Sequence, residues 1–155
     1  MYKRQEEGLS YLKSVNFKKK VLDREANVLL LFANYSKRKN DRTSFDLIKR
    51  DMENLPNIIA YKEIQKKNYD NTYKMFQVIE SIWNEEDETA RKLINELLAE
   101  NPTVLNQVIF NMYLARLDIK ENEKMNAKMH LEYVITHGNK MAIVEEAKEL
   151  LEKLA

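Results

Sequence analysis

The sequence predicts an all-α fold, and three observations lead to that prediction. The chain of 155 residues contains only two glycines and two prolines, so long stretches lack the residues that interrupt helices. Apolar residues recur at intervals of three and four, which is the spacing of one face of a helix. A third of the residues are charged, and no stretch alternates between apolar and polar residues as a half-buried strand does. The length suffices for one domain with a sizeable core.

The first half of the chain divides into five predicted helices. The run VLLLFA indicates a buried helix, because it is far shorter than the roughly 20 apolar residues that span a bilayer. The turn KRKNDR ends that helix. Pro56 is predicted to end the next one, since the residue before a proline avoids helical geometry. The polar stretch NYDN is predicted to be another turn. The predicted helices are 6–13, 17–37, 43–54, 57–67 and 72–84.

The second half is predicted to contain four more helices. The acidic stretch NEEDE precedes the first, because negative charge is favoured at a helix N-terminus. The next begins near Pro102 and carries two apolar stripes, which predicts neighbours on both sides. Gly138 is predicted to end the third in the left-handed conformation. The last has one apolar and one charged face, as a terminal capping helix does. The predicted ranges are 89–100, 103–120, 123–137 and 141–154.

Several of these helices share a pattern of offsets. A small residue is followed four positions later by an aromatic or large apolar one and three after that by a second small one, often with proline five further on. Four segments fit this pattern in part, since Leu97 is larger than usual at the second small position and Asp51 is charged. The small positions let two helices approach closely. The four segments are Ala127, Leu131, Val134 and Asn139; Ala90, Ile94, Leu97 and Pro102; Ser44, Ile48, Asp51 and Pro56; and Thr72, Phe76, Ile79 and Asn84. The pattern resembles the second helix of a tetratricopeptide repeat, and Leu114–Ala115 resembles the Leu-Gly pair of its first helix.

The spacing of these segments departs from the family's period of about 34 residues. Ser44 and Ala90 are 46 residues apart, Ala90 and Ala127 are 37 apart, and Thr72 precedes Ala90 by only 18. Trp83, the only tryptophan, is not at the family's position. The resemblance therefore implies a degenerate α-α superhelix, a solenoid of about four antiparallel hairpins with a C-terminal capping helix. It covers most of residues 17–155, and one repeat domain is predicted over residues 6–155. An unrelated helical bundle is the alternative architecture.

No pattern in the sequence indicates an active site. Without cysteine the chain has neither a thiol nucleophile nor a thiolate metal site. With Gly8 and Gly138 as its only glycines it has no glycine-rich phosphate loop. His130 and His137 form no HExxH motif. We expect His137 to interact with the C-terminal end of its helix, and His130 to lie partly exposed at the surface or in a groove. The sequence thus predicts a non-catalytic protein without a metal or cofactor.

Polar residues on otherwise apolar helices are the candidate binding residues. Asn27 and Asn34 share one face of helix 17–37, and Gln107, Asn111 and Asp118 share one face of helix 103–120. The resemblance implies that first-helix residues line a concave groove, where asparagine and arginine can bind the backbone of a peptide or protein partner. The alternative is that neighbouring helices bond these amides, because buried amides need partners. The groove candidates are Asn27, Asn34, Tyr61, Asn111 and Arg116.

The net charge of +1 conceals a basic and an acidic half. Residues 1–77 contain 17 Lys/Arg and 10 Asp/Glu, a net +7, whereas residues 78–155 contain 9 and 15, a net −6. The basic half either faces an anionic membrane surface or is an ordinary solvated surface. Nucleic acid is a weaker candidate, because no recognition motif accompanies the basic clusters and the acidic half would repel phosphate. A helical regulatory or nucleic-acid-associated domain is nevertheless the alternative to peptide binding.

The first five residues, MYKRQ, resemble the translation of a common sequencing-library adapter, GTG-TAT-AAG-AGA-CAG. This predicts that residues 1–5 are not native and that the chain is the C-terminal part of a longer bacterial protein. A genuine basic N-terminus is the alternative. We expect a cytoplasmic location, with a tether to the membrane in the missing N-terminal segment. The basic half would then lie nearest the lipid.

Overall fold

The computed structural model describes residues 20–155, which form seven α-helices and no strand. The predicted all-α fold is confirmed over this range. Helix 6–13 lies outside the described residues, and the helix predicted from residue 17 begins at Leu22, after an extended Val21. The helices are α1 (Leu22–Arg38), α2 (Arg42–Ile58), α3 (Glu63–Trp83), α4 (Asp87–Ala99), α5 (Val104–Lys120), α6 (Lys124–His137) and α7 (Ala142–Leu154).

Two predicted breaks in the first half are wrong. Pro56 lies inside α2, which continues to Ile58. A proline removes the hydrogen bond that its N–H would donate to the carbonyl four residues earlier, here that of Met52. The Tyr69 hydroxyl donates to this carbonyl instead, at 2.8 Å. The freed acceptor therefore has a partner, and the helix passes through the proline.

The hydrogen bond from Tyr69 to Met52 also explains the second wrong prediction, the turn at NYDN, because it ties this stretch to α2. The predicted helix 57–67 does not exist, because residues 59–62 form a connection and α3 then runs unbroken from Glu63 to Trp83. The stretch NYDN, predicted as a turn, lies within α3. Tyr69 is buried there, and Asn68 donates to Asp23 of α1 at 3.0 Å. Tertiary contacts thus outweigh the weak helix propensity of asparagine and aspartate.

The helices divide into two compact units, of which the first ends at Asn84 and the second begins at Glu85. In unit 1, α1 packs against both α2 and α3. The short turn after Arg38 makes α1 and α2 antiparallel. Asp23 bonds Asn68, and Asn27 bonds Thr72 one turn further along both helices, so α1 and α3 are parallel. The start of α1, the end of α2 and the start of α3 therefore lie together, at what we call the Ile58 end of unit 1.

The core of unit 1 is rich in aromatic side chains. Phe45 of α2 stacks on Phe76 of α3 with ring centroids 4.7 Å apart, and meets Trp83 edge-on at 5.0 Å. Tyr73 stacks against Phe76, and burial together with a hydrogen bond to Glu53 raises the pKa of Tyr73 to about 12. The backbones of α2 and α3 make few close approaches, so large side chains fill the space between them. Further buried residues of this core include Leu22, Ala26, Leu30, Ala33, Met52, Leu55, Ile59 and Ile79.

In unit 2 the helices pack in sequence, α4 on α5, α5 on α6 and α6 on α7. Of these pairs, α5 and α6 have the most extensive contact, and Ala115 of α5 and Ala127 of α6 are both fully buried. α5 buries residues on two sides, as its two apolar stripes predict. The core that α5, α6 and α7 share contains Val108, Met112, Ala115, Leu131, Val134 and Ala147.

The predicted role of Gly138 is wrong in its mechanism. Gly138 has φ −76° and ψ −12°, a right-handed conformation, and Asn139 takes the positive φ of 51°. Glycine is needed for space: a Cβ built on Gly138 would lie 2.4 Å from Val144 Cγ2 and 2.6 Å from the Val134 carbonyl oxygen. The end of α6 therefore approaches the start of α7 more closely than a side chain permits.

Five of the six connections between the described helices use the same device. In each, the second residue after the helix has a positive φ and is not glycine. Asparagine adopts this conformation more readily than most other residues. After α1 and α5 the hydrogen bonds form the Schellman pattern: Asp41 N donates to Ser36 O, and Glu123 N to Asp118 O. The five residues are Asn40, Glu85, Asn101, Asn122 and Asn139.

Candidate functional site

The polar stripe predicted on α5 forms the centre of a buried network in unit 2. The Asp118 carboxylate is only 1% exposed. Its Oδ1 lies 2.8 Å from Nη2 of Arg91 on α4, and its Oδ2 lies 3.6 Å from Nε2 of His130 on α6. Oδ2 is buried without a hydrogen-bond partner. Arg91 also contacts Glu121 at 2.9 Å, so one guanidinium joins two carboxylates.

The network continues along the α5–α6 contact. His130 Nδ1 lies 2.7 Å from Asn111 Oδ1, and the Asn111 amide nitrogen donates to the Gln107 carbonyl at 2.8 Å. The Tyr133 hydroxyl donates to Gln107 Oε1, and the Gln107 amide nitrogen donates to the Pro102 carbonyl at 2.8 Å. The amides of Gln107 and Asn111 are thus bonded within the protein, as the alternative interpretation of the stripe expects.

The protonation of His130 follows from these bonds. Because an amide oxygen accepts only, a neutral His130 carries its proton on Nδ1 and turns an unprotonated Nε2 toward Asp118. Burial lowers the pKa of His130; the Asp118 carboxylate opposes this shift and Arg91 adds to it. The side chain of His130 is 17% exposed, which agrees with the prediction that this residue is partly exposed.

The contacts of this cluster run between three helices. They tie α4, α5 and α6 together through one carboxylate, one guanidinium and one imidazole. Over residues 20–155 no serine or threonine is hydrogen-bonded to His130, and no group of three His, Asp or Glu side chains is arranged to hold a metal ion. An open depression of about 600 Å³ beside α4 is lined by residues of that helix alone among the described residues: Glu88, Arg91, Lys92, Asn95, Glu96 and Ala99.

Arg91 and Tyr133 are members of the cluster that the sequence did not indicate. Asp118 alone on an apolar helix signals that a partner is needed, but Arg91 lies 27 residues earlier, and only the packing of α4 on α5 identifies it. The prediction for His137 is confirmed, since its Nδ1 lies 3.0 Å from the Tyr133 carbonyl oxygen in the last turn of α6.

The groove candidates of unit 1 are partly engaged. Asn27 is exposed on α1, and its Oδ1 accepts a hydrogen bond from the buried Thr72 hydroxyl at 3.1 Å. The amide nitrogen of Asn34 donates to the Leu30 carbonyl of its own helix at 3.1 Å. Tyr61 is 45% exposed in the connection between α2 and α3, at the Ile58 end.

The groove candidates of unit 2 lie on α5. Asn111 belongs to the buried network, with both polar atoms of its amide bonded. Arg116 is exposed and forms a bidentate pair with Glu146 of α7, with Nη2 at 2.8 and 2.9 Å from the two carboxylate oxygens. Its guanidinium also lies 5.9 Å from the centre of the Tyr113 ring. A role for all five residues in binding a peptide stays a prediction.

Fold and network together define the class: an all-helical protein of two compact units over the described residues, with a buried polar network in the second. No protein-family model, curated protein or solved structure matches the chain. Within residues 20–155, none of the helices combines the length and the apolar character required for crossing a membrane.

Proposed function

We propose that the protein is a non-catalytic scaffold of tetratricopeptide-like helical hairpins that binds a peptide or another protein. The observation that carries this proposal is the α5–α6 hairpin. Its first small position, Ala127, the large position four residues later, Leu131, and the second small position, Val134, are all fully buried. Ala115, which takes the glycine place of the family's Leu-Gly pair, is fully buried as well. Full burial of these positions supports the proposal, because the family's pattern serves close packing of the two helices of a hairpin.

The repeated turn supports the same proposal. The positive-φ residue two positions after each of five helices gives successive helices one kind of connection, as expected of a chain built from similar hairpins. In this proposal the hairpins form a solenoid, and α7 is its capping helix. The outer face of α7 is strongly polar, with exposed Glu145, Glu146, Lys148 and Glu149.

Two of the groove candidates carry polar groups that a partner could bind. Asn27 is exposed, and its bond to Thr72 uses only the amide oxygen, so the amide nitrogen can donate to a peptide carbonyl. Arg116 holds Glu146 in the bidentate geometry in which arginine binds carboxylates generally. A partner carboxylate that displaced Glu146 would find the guanidinium already oriented. The proposed partner is therefore a peptide segment that carries a carboxylate.

The test starts from a displayed library of random peptides selected against the full chain, followed by calorimetry with the selected peptide. We expect Arg116→Ala and Asn27→Ala to weaken binding by about tenfold each, the loss of a good charged or hydrogen-bonded contact. The exposed residues Arg50 and Asn95 give matched controls, Arg50→Ala and Asn95→Ala, which should bind as the wild type does. Failure to select any peptide, or equal losses in candidates and controls, would contradict the proposal.

The alternative is a helical regulatory or nucleic-acid-associated domain that uses the basic half. The surplus of lysine and arginine in residues 1–77 supports it, and it predicts binding to RNA or DNA that weakens steeply with salt. Peptide capture that is insensitive to salt would favour the scaffold. For the scaffold we further propose a cytoplasmic location, with a tether to the membrane in an N-terminal segment that precedes the present chain.

A further inference from the structure

Three large apolar side chains project from the connection between α2 and α3. Ile58, Tyr61 and Ile64 are exposed to 64, 45 and 62%. They lie within seven residues of sequence, at the end of α2, in the connection and in the first turn of α3. Single exposed apolar residues are common on protein surfaces, but three on one corner form a patch that marks an interaction site.

This corner is held rigidly. Ile59, in the middle of the three, is buried in the core of unit 1, and its N–H donates to the Leu55 carbonyl at 3.0 Å. The N–H of Lys62 donates to the side chain of Gln65 at 2.8 Å, which closes the first turn of α3. The three exposed side chains are thus presented by anchored backbone, so ordering them on a partner costs little backbone entropy.

Basic residues surround the apolar corner. The connection and the first turns of α3 contain Lys62, Lys66 and Lys67, against the carboxylate of Glu63. The start of α1, at the same end, adds one arginine and two acids, of which Asp23 is bonded to Asn68 and Glu25 has its Oε1 buried. Because α1 and α3 are parallel, the exposed Lys20 at the start of α1 lies at this same Ile58 end. In the sequence Lys20 is preceded directly by two further lysines. The nearby acid Asp70 is paired with Lys66 at 2.6 Å.

The opposite end of unit 1 shows that basic charge alone does not distinguish the corner. The turn between α1 and α2 also carries basic residues, with Lys37, Arg38, Lys39 and Arg42 in sequence. The exposed large hydrophobic residues nearest to that turn in sequence, Leu31 and Leu47, lie singly on α1 and α2. Within the described part of unit 1, the Ile58 end has three such side chains close together in sequence with lysines beside them, and that combination fits a surface that is apolar inside and anionic outside.

We propose that the Ile58 end is a docking surface for an anionic lipid bilayer. Ile58 and Ile64 insert at the boundary between headgroups and acyl chains, and Tyr61 lies at the headgroup level that its amphipathic ring prefers. Lys20, Lys62 and Lys67 reach the lipid phosphates, with their aliphatic stems along the apolar side chains. This surface does not depend on the peptide-binding proposal, since Tyr61 is its one residue among the groove candidates.

The experiment is co-sedimentation of the full chain with vesicles of two compositions. We expect binding to phosphatidylcholine vesicles that contain phosphatidylserine, and little binding to phosphatidylcholine alone. The triple variant Ile58→Ser, Tyr61→Ser, Ile64→Ser should bind at least about tenfold more weakly, because the inserted apolar area is lost. Its matched control is the double variant Leu31→Ser, Leu47→Ser, whose residues are 52 and 53% exposed elsewhere in unit 1 and which should bind normally.

A second pair of variants tests the charges. Lys62→Gln, Lys67→Gln should weaken binding by about fivefold per lysine, while Arg38→Gln, Lys39→Gln at the opposite end should have a smaller effect. Circular dichroism confirms that each variant is folded. Absence of binding to anionic vesicles overturns the proposal, and so does equal binding by the triple variant and its control. Loss in the triple variant of a contact with a protein or a selected peptide, with lipid binding unchanged, would show that the corner docks protein.

Discussion

The two units differ in the size of the side chains that pack between neighbouring helices. In unit 1, α2 and α3 meet mainly through large rings, with Phe45 between Phe76 and Trp83. In unit 2, α5 and α6 approach closely along much of their length, and each helix buries an alanine fully, Ala115 and Ala127. A wide gap between two helices stays filled only while the rings in it keep their volume. Two helices can approach closely only where the side chains between them are small. Unit 1 should therefore be sensitive to truncation of a core side chain, and unit 2 to its enlargement.

The two units also differ in the polar and charged groups that they bury. Among its described residues, unit 1 buries Ser36, Thr72, Ser81 and the ring of Tyr69, whose hydroxyl bonds a backbone carbonyl. Of its charged side chains it buries single atoms, Arg24 Nε and Glu25 Oε1, while the rest of each residue stays partly exposed. Unit 2 buries a full carboxylate, Asp118, and needs Arg91 beside it. Hydroxyls can be satisfied within one or two helices, but a buried charge needs a counterion. The second unit should therefore be the more sensitive of the two to pH.

The largest expected effect is that of Phe45→Ala in unit 1. Removing a fully buried ring that touches two others should lower the free energy of unfolding by about 3–5 kcal/mol. Denaturation in urea, followed by the fluorescence of Trp83, reports on this unit directly because the indole contacts Phe45. Leu47→Ala, two residues away and 53% exposed, is the control and should change stability little. A loss below about 1 kcal/mol for Phe45→Ala would show that the rings are not tightly packed.

The complementary test in unit 2 enlarges a side chain. Ala127→Leu places three extra carbons at a fully buried position of α6 and should cost about 1–3 kcal/mol, although leucine is itself a good helix former. The same change at the exposed Ala142, at the start of α7, should be nearly neutral. Urea denaturation followed by circular dichroism measures both variants. If Ala127→Leu proved as stable as Ala142→Leu, the close contact of α5 and α6 would be refuted.

Gly138→Ala sharpens the comparison at the turn between α6 and α7. The added methyl would meet the Val134 carbonyl oxygen at 2.6 Å, and a backbone atom cannot move aside as a side-chain tip can. Overpacking should outweigh the better helix propensity of alanine and leave a net loss of about 1–2 kcal/mol in thermal denaturation. Asn139→Gly, at a positive φ of 51°, should leave stability unchanged or raise it. A stabilised Gly138→Ala would mean that the chain at residue 138 shifts freely away from both the Val134 carbonyl and α7.

The sequence allowed better prediction of unit 2 than of unit 1. The helices predicted at 103–120, 123–137 and 141–154 agree with α5, α6 and α7 to within one residue at each boundary. There, asparagines and Gly138 separate helices whose small residues recur at regular offsets. In unit 1 a proline and an NYDN stretch indicated breaks that do not occur. The Tyr69–Met52 bond that compensates for Pro56 joins residues 17 apart, so no local pattern contains it.

The network in unit 2 was predictable only in outline. The offsets of Gln107, Asn111 and Asp118 place them on one face of a helix, and that much follows from the helical period. Which groups bond them depends on how α4 and α6 are rotated against α5. The sequence therefore indicated that the amides need partners, but not that His130 and Arg91 supply them. The proposed groove had the same difficulty, because an amide that faces a groove and one that faces a helix look alike in sequence.

The smallest expected effect concerns pH and belongs to unit 2, since both histidines of the chain lie on α6. Burial lowers the pKa of His130 in the folded state, so the unfolded chain binds its proton more strongly. The stability that neutral His130 contributes is therefore complete above the ordinary value near 6.5 and is lost as the pH falls toward the lowered pKa. Over this window the free energy of unfolding should fall with a slope of at most about 1.4 kcal/mol per pH unit. His130→Gln should remove that slope when urea denaturation is compared at about pH 7.5 and 5.5, whereas His137→Gln should retain it. Trp83 fluorescence should show no such change for unit 1. Equal slopes in the wild type and His130→Gln would mean that the Asp118 carboxylate compensates fully for burial of the imidazole.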